Sequence, residues 1–204
     1  MESKDKLITE IVEKEYSMLD KVRNCDGRAE CQDNKREFFK AREAQFYPWN
    51  VETLKSYLLD LRTAESQGRN LMVEKYAYMM ESLWKKEYRK ISQFLPKVSN
   101  QKQRLVAKIV RRLVGQTENA VKENPGLVLK MRPVHSAEDL PYSISVETYF
   151  KCEFQTYSQN TLEKLDECIV EQPINDDSFV DQIFSYTAHV HGYRNIQEAV
   201  ANSK

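Results

Sequence analysis

"SISVETYFKCEFQTYS" occupies Ser143 to Ser158. Its apolar and aromatic residues recur three and four apart, the spacing of one face of an α-helix. Val146, Tyr149, Phe150, Glu153 and Tyr157 then share that face, with a carboxylate, Glu153, near its centre. An isolated ionised carboxylate in apolar surroundings costs several kcal/mol or changes its protonation state. Glu153 therefore needs partners from elsewhere in the chain.

The same spacing runs outward in both directions. A first helix is predicted from about Asp5 to Arg23, broken by "NCDGRAECQDN", and a second over Lys35 to Phe46. Asn50 reads as the N-cap of a third, striped by Leu54, Tyr57, Leu58, Leu61 and Ala64 and stopped by Gly68. "NLMVEKYAYMMES" (Asn70 to Ser82) is apolar around most of its circumference and reads as a central buried helix. Lys85 to Leu95 follows. Ser99 caps a long helix carrying Leu105, Ile109, Val110, Leu113, Thr117 and Val121. Beyond a connection come Ser145 to Tyr157, Asn160 to Glu171, Asp177 to His191 and a tail helix from Asn195. Five Gly and six Pro in 204 residues leave few breakers. The expected fold is all-α: a single-domain bundle of about eight helices over residues 1–204. Its one extended connection, near 123–143, holds at most a short strand or hairpin between Pro125 and Pro133, or lies over the bundle as a lid.

Lys plus Arg and Asp plus Glu both total 31, so the formal net charge is zero. No global field points to nucleic acid or an anionic membrane, and neither is expected as a partner. The N-terminus shows no apolar signal core, and no run approaches the length of a membrane span, so a cytoplasmic location is expected. Four cysteines lack CxxC spacing and read as reduced thiols. Cys25 and Cys31 leave a chelate or a disulfide as the minor alternative.

Phasing the other helices finds more charges inside apolar arcs. Glu15 lies among Ile8, Ile11, Leu19 and Val22. Arg42 lies between Phe38 and Phe46 with Gln45 beside it, and Lys75 lies between Leu71 and Met79. With Glu153 they make two acids and two bases on four helices, and the charges cancel. They are expected to converge in one buried region. Such a cluster reads either as an ion network that fixes helix register or as a polar ligand pocket in the bundle. Misphased helices, or an Arg and a Lys reaching to the surface, are the remaining alternatives.

Metal chemistry has a weaker signature. No Glu-x-x-His occurs, and His189 and His191 diverge on their helix, so no transition metal is expected. A carboxylate-only site from Glu15, Glu74, Glu147 and Glu153 is the minor alternative. His191 reads as a core or cap residue. Phosphate-loop and serine-hydrolase motifs are absent, and no cofactor is implied. "DGRAEC" and "QGRNL" each place Gly before Arg. That pattern reads equally as a helix stop with a surface Arg, or as an Arg at a helix start suited to a carboxylate or phosphate.

At "GRAECQDN", "AREAQFYPWN", "GRNLMVEKYAYMMES" and "ETYFKCEFQTYS" the chain resembles the bacterial family called domain of unknown function 4125. The resemblance covers nearly the whole chain. It implies a bacterial, cytoplasmic protein and supplies no reaction. The family pattern includes Arg28, Gln32, Arg42, Gln45, Trp49, Arg69, Asn70, Glu74, Lys75, Tyr76, Glu147, Thr148, Tyr149, Glu153 and Tyr157. The chain departs from it at Cys25 and Cys152, where the pattern has Gly, and at Tyr78, where it has Arg. The change at Cys152 narrows any space beside Glu153, and that at Tyr78 alters the charge offered to a ligand.

The leading reading is a site for a small polar or anionic molecule, with acid–base catalysis as its chemistry if it is an enzyme. Glu153 and Glu15 are the candidate catalytic carboxylates. The candidate ligand-binding residues are Arg28, Gln32, Arg42, Gln45, Arg69, Asn70, Glu74, Lys75, Glu147, Tyr149 and Tyr157. The rival is a non-enzymatic helical interaction module with a register-fixing ion network, which leaves a protein partner open. A cavity beside Glu153 favours the first, and a dry, closed network the second.

Overall fold

Helix caps set the framework. Ser3, Asn34, Asn50, Asn70, Ser99, Ser145 and Ser178 each accept a hydrogen bond from a backbone N–H of the following turn. In this computed structural model residues 3–23, 27–129, 131–141, 143–171 and 177–202 are described. The helices are α1 (Lys4–Asp20), α2 (Glu30–Asp33), α3 (Lys35–Phe46), α4 (Val51–Ser66), α5 (Leu71–Leu83) and α6 (Lys85–Ile91). They continue as α7 (Asn100–Glu123), α8 (Val146–Phe154), α9 (Gln159–Glu171), α10 (Phe179–Val190) and α11 (Ile196–Asn202). The all-α expectation holds among the described residues. The count exceeds eight; the segments read at Lys85 to Leu95 and in the tail are short helices, and the breaker after α1 adds the single turn α2.

Gly68 ends α4 with φ of 69°, a left-handed conformation that costs glycine little. The N–H of Gly68 bonds Glu65 O at 3.0 Å and that of Arg69 bonds Ala64 O at 2.8 Å. These are the two bonds of a Schellman stop, and they reverse the chain directly into the Asn70 cap.

The core is one cluster of buried apolar residues drawn from α1, α3, α4, α5, α7 and α8 to α11. Its central helix is α1, which packs on α3, α4 and α5. α5 is buried along much of its length, as expected, and packs on α1, α6 and α8. Two faces of α5 are apolar for different reasons: Leu71 and Met72 join the main core, whereas Tyr78 and Met79 form a small separate cluster with Cys152. Val73 remains exposed.

The connection over 123–143 is also not extended. It folds into two 3₁₀ turns, Pro125–Leu129 and Ser136–Glu138, and an isolated bridge between Leu140 and Ser143. No strand occurs among the described residues. Carbonyls of Pro133 and Val134 accept the N–H groups of Val146 and Glu147, and Asp139 accepts from Ser145 N and Thr148 Oγ1. The loop thus satisfies the otherwise unpaired donors at the start of α8. No described helix is long and apolar enough to cross a membrane.

Candidate functional site

Arg42 on α3 is the hub of the site. Its Nε and Nη2 donate to Glu15 of α1 at 2.6 and 2.5 Å. Its Nη2 and Nη1 donate to Glu153 of α8 at 3.0 and 3.1 Å. The guanidinium therefore grips one carboxylate on each of two edges, a bidentate geometry that a lysine could not reproduce. Nη1 also donates to Gln45 Oε1 at 2.6 Å and to the Tyr149 hydroxyl at 3.1 Å. Every donor direction of the guanidinium is occupied.

Glu153 is equally saturated. Besides Arg42, it accepts from Gln45 Nε2 and from the Tyr157 hydroxyl, both at 2.7 Å, and from Lys75 Nζ on α5 at 3.2 Å. Glu15 accepts the Tyr57 hydroxyl of α4 at 2.7 Å. Glu15, Arg42, Lys75 and Glu153 are at most 3% exposed, so the four charges phased from sequence do converge in one buried region. Phe46, Trp49, Tyr57, Phe154 and Tyr157 wall it, with the Tyr57 and Tyr157 rings 4.4 Å apart and Arg42 Cζ 4.8 Å from the Phe46 ring. On the remaining side Tyr149 is half-buried. Its ring lies 4.7 Å from Lys75 Nζ and 5.0 Å from Arg132 Cζ of the connecting loop.

The electrostatics follow from this closure. Burial alone pushes Glu153 upward, but Arg42 and Lys75 outweigh it and hold the carboxyl well below the usual carboxylate range. Burial likewise works against charge on Arg42 and Lys75. Glu15 and Glu153 hold Arg42 well above its ordinary value, and Tyr149 and Glu153 raise Lys75. Burial, followed by the neighbouring carboxylates, pushes the Tyr57 and Tyr157 phenols far upward, so both remain donors.

The other predicted residues are not brought to this centre. Arg28 is half-exposed and pairs with Asp20 at 2.7 Å and Asp33 at 2.9 Å. Gln32 bonds Ala29 N, Leu19 O and Val22 O, stapling the end of α1 to α2. Asn70 caps α5 and donates to Met18 O. Arg69 forms a fork with Glu74 at 2.7 and 2.8 Å within the first turn of α5. Glu147 accepts from Ser136 N at 2.7 Å. Both Gly-Arg stretches are therefore helix-end structure, and the carboxylate-only metal set is dispersed. No cluster of three or more His, Cys, Asp or Glu able to hold a metal occurs among the described residues. His191 caps α10 and lies 3.7 Å from Glu37. The Cys25–Cys31 alternative falls outside the described residues, while Cys152 and Cys168 are free and buried.

Tyr57 is the network member that sequence reading missed, because it sits within a leucine stripe. A signal was present, since the hydroxyl of a buried tyrosine needs a partner. Tyr78 and Cys152, two positions that depart from the resembled pattern, pack in one small cluster with Met79, against Leu95 and Val98. Burial pushes both groups up to about 12, which leaves Cys152 an unreactive thiol.

No curated protein and no solved structure matches this chain. Residues 5–201 match the family described as "Protein of unknown function (DUF4125)", and the chain belongs to that family.

Proposed function

We propose that the chain is a non-enzymatic helical binding module in which Glu15, Arg42, Lys75 and Glu153 form an internal brace. The brace sets the register of α1, α3, α5 and α8, with Tyr57 adding α4. The observation that carries this reading is saturation. Glu153 accepts five hydrogen bonds while buried, and no lone pair is left for a substrate. A general acid or base must exchange a proton near the working pH. Glu153 is held ionised far below it, and Arg42 and Lys75 are held charged.

Replacing Glu153 with Gln tests the proposal. It leaves a buried cation short of its counter-charge, and denaturant unfolding should show a loss on the order of 3–5 kcal/mol. Unchanged stability, together with a polar ligand found by screening the wild type and lost in the variant, would overturn the brace.

A second reading keeps the polar pocket and rests on Tyr149. Its half-buried hydroxyl oxygen accepts from both Arg42 and Lys75, so it is the edge at which a small anion could approach the two cations. Replacing Tyr149 with Phe opens that edge. Weak anion binding gained by this variant supports the second reading; a variant as inert as the wild type supports the brace.

A further inference from the structure

Across α5 and α8 from the brace, a half-open cleft of about 600 Å³ separates the arm containing α6 from α7. It lies where α6, which buries none of its residues, packs chiefly on α5, while α7 packs on α8, α9 and α10. Ala107 and Val114 line one wall along about 10 Å of α7, at 1.5 Å per residue, with Val106 and Val110 buried behind them. Leu95 and Val98 line the other. The arm is pinned at its far end by the Tyr78 hydroxyl, which donates to Pro96 O at 2.7 Å. This volume and apolar lining fall in the range of small-molecule sites.

Two further observations state what would fill it. First, Gln155 at the end of α8 lines the cleft, and its Oε1 is buried without a hydrogen-bond partner. Among the described residues it is the one buried side-chain polar atom in that condition. Its backbone carbonyl is satisfied by Lys102 Nζ at 2.7 Å, so the deficit belongs to the side chain alone. A buried acceptor left unpaired calls for a donor. Second, charge is segregated. Residues 85–112, which build the arm and most of the α7 wall, carry ten Lys and Arg against one acid, Glu87, in a chain of zero formal net charge. Lys97 and Arg111 line the cleft and form no ion pair among the described residues. The acids on the lining are engaged: Glu81 faces Lys151 at 3.8 Å, and Glu147 accepts from Ser136 N.

We infer that this cleft binds a single-chain anionic amphiphile that carries an N–H or O–H donor. The apolar chain lies along the α7 wall, the Gln155 side chain turns to accept the donor at Oε1, and the anionic head pairs with Lys97 or Arg111. The inference supplies the proposed module with its ligand. Its variants leave Glu15, Arg42, Lys75 and Glu153 intact, so it can fail while the brace stands.

N-dodecanoylglycine combines chain, amide N–H and carboxylate, and serves as the probe in calorimetric titration below its micelle-forming concentration. One-to-one binding is expected. The O-acyl ester isostere, which lacks the N–H, should bind about tenfold more weakly, the loss of roughly one hydrogen bond. Dodecyltrimethylammonium should not bind. Ala107→Trp fills the cleft from an exposed position on its lining. It should abolish binding while leaving the melting transition in place, and Gln155→Leu should erase the preference for amide over ester. Absence of binding, equal binding of the cationic amphiphile, or undiminished binding by a folded Ala107→Trp protein would each overturn the proposal. Association seen only with anionic phosphatidylserine vesicles, and unaffected by Ala107→Trp, would overturn it in favour of surface attraction by the basic arm.

Discussion

Glu153 and Gln155 stand two residues apart at the end of α8, and their surroundings are opposites. The Glu153 carboxylate takes five donors, whereas the Gln155 side-chain oxygen, also buried, takes none. The first faces the junction of α1, α3 and α5, where every polar group has found a partner. The second belongs to a side chain that lines the cleft and has no hydrogen-bond partner there. A saturated buried network contributes register and rigidity but has nothing left to offer a ligand. An unsatisfied polar group on an open apolar wall is the condition in which a ligand adds most. The proposed brace therefore places a structural role at the charged centre, and the proposed ligand cleft lies beside it.

The largest expected effect breaks the saturated side. Arg42→Met removes the ion-pair partner of Glu15 seen among the described residues and leaves Glu153 with Lys75 as its cation. We expect a loss of about 5 kcal/mol or more, beyond that of Glu153→Gln, measured as a fall in the urea midpoint or as failure to fold. A loss below that of Glu153→Gln would show that Arg42 is not the hub. A smaller effect appears with pH. Glu153 has a lowered value in the folded state against an ordinary 4.5, so its contribution is fully present above 4.5 and is lost as pH falls below it. Lys75 is raised from 10.5, so its contribution is present below 10.5 and is lost only as pH rises through the higher folded value. Unfolding midpoints should therefore show an acid limb that Glu153→Gln flattens. An acid limb unchanged in that variant would remove Glu153 from the account. The smallest effect concerns the open side. Gln155→Leu removes the orphan acceptor and should raise stability by about 1 kcal/mol, visible as a small rise in Tm. A loss of stability would mean that Gln155 has a partner in solution and that the two regions differ less than they appear.

Much of this architecture was legible in local sequence. Asn50 and Ser99 act as the caps expected of them, Gly68 ends its helix, and Ile109, Val110, Leu113 and Thr117 face the core as their spacing requires. These features depend on contacts within one or two turns. The convergence of Glu15, Arg42, Lys75 and Glu153 was legible for a different reason, because each charge interrupted an apolar face that had to be buried. Arg28, Arg69, Glu74 and Glu147 were misplaced in the site because no such interruption marked them, and their partners proved to be close neighbours at helix ends. The basic run over 85–112 was readable too, but a net charge summed over the whole chain concealed it.

The amino-acid sequence by itself determined the helices, their stops and the four charges that must be buried, since periodicity, capping and charge balance act over a few residues. Only the tertiary structure decided that those charges close on one another, because saturation depends on how five helices meet around one guanidinium. The structure alone likewise decided that α6 stands off from α7 and leaves Gln155 unpaired. A cleft is the absence of a contact between segments, and no local pattern encodes a contact that is not made.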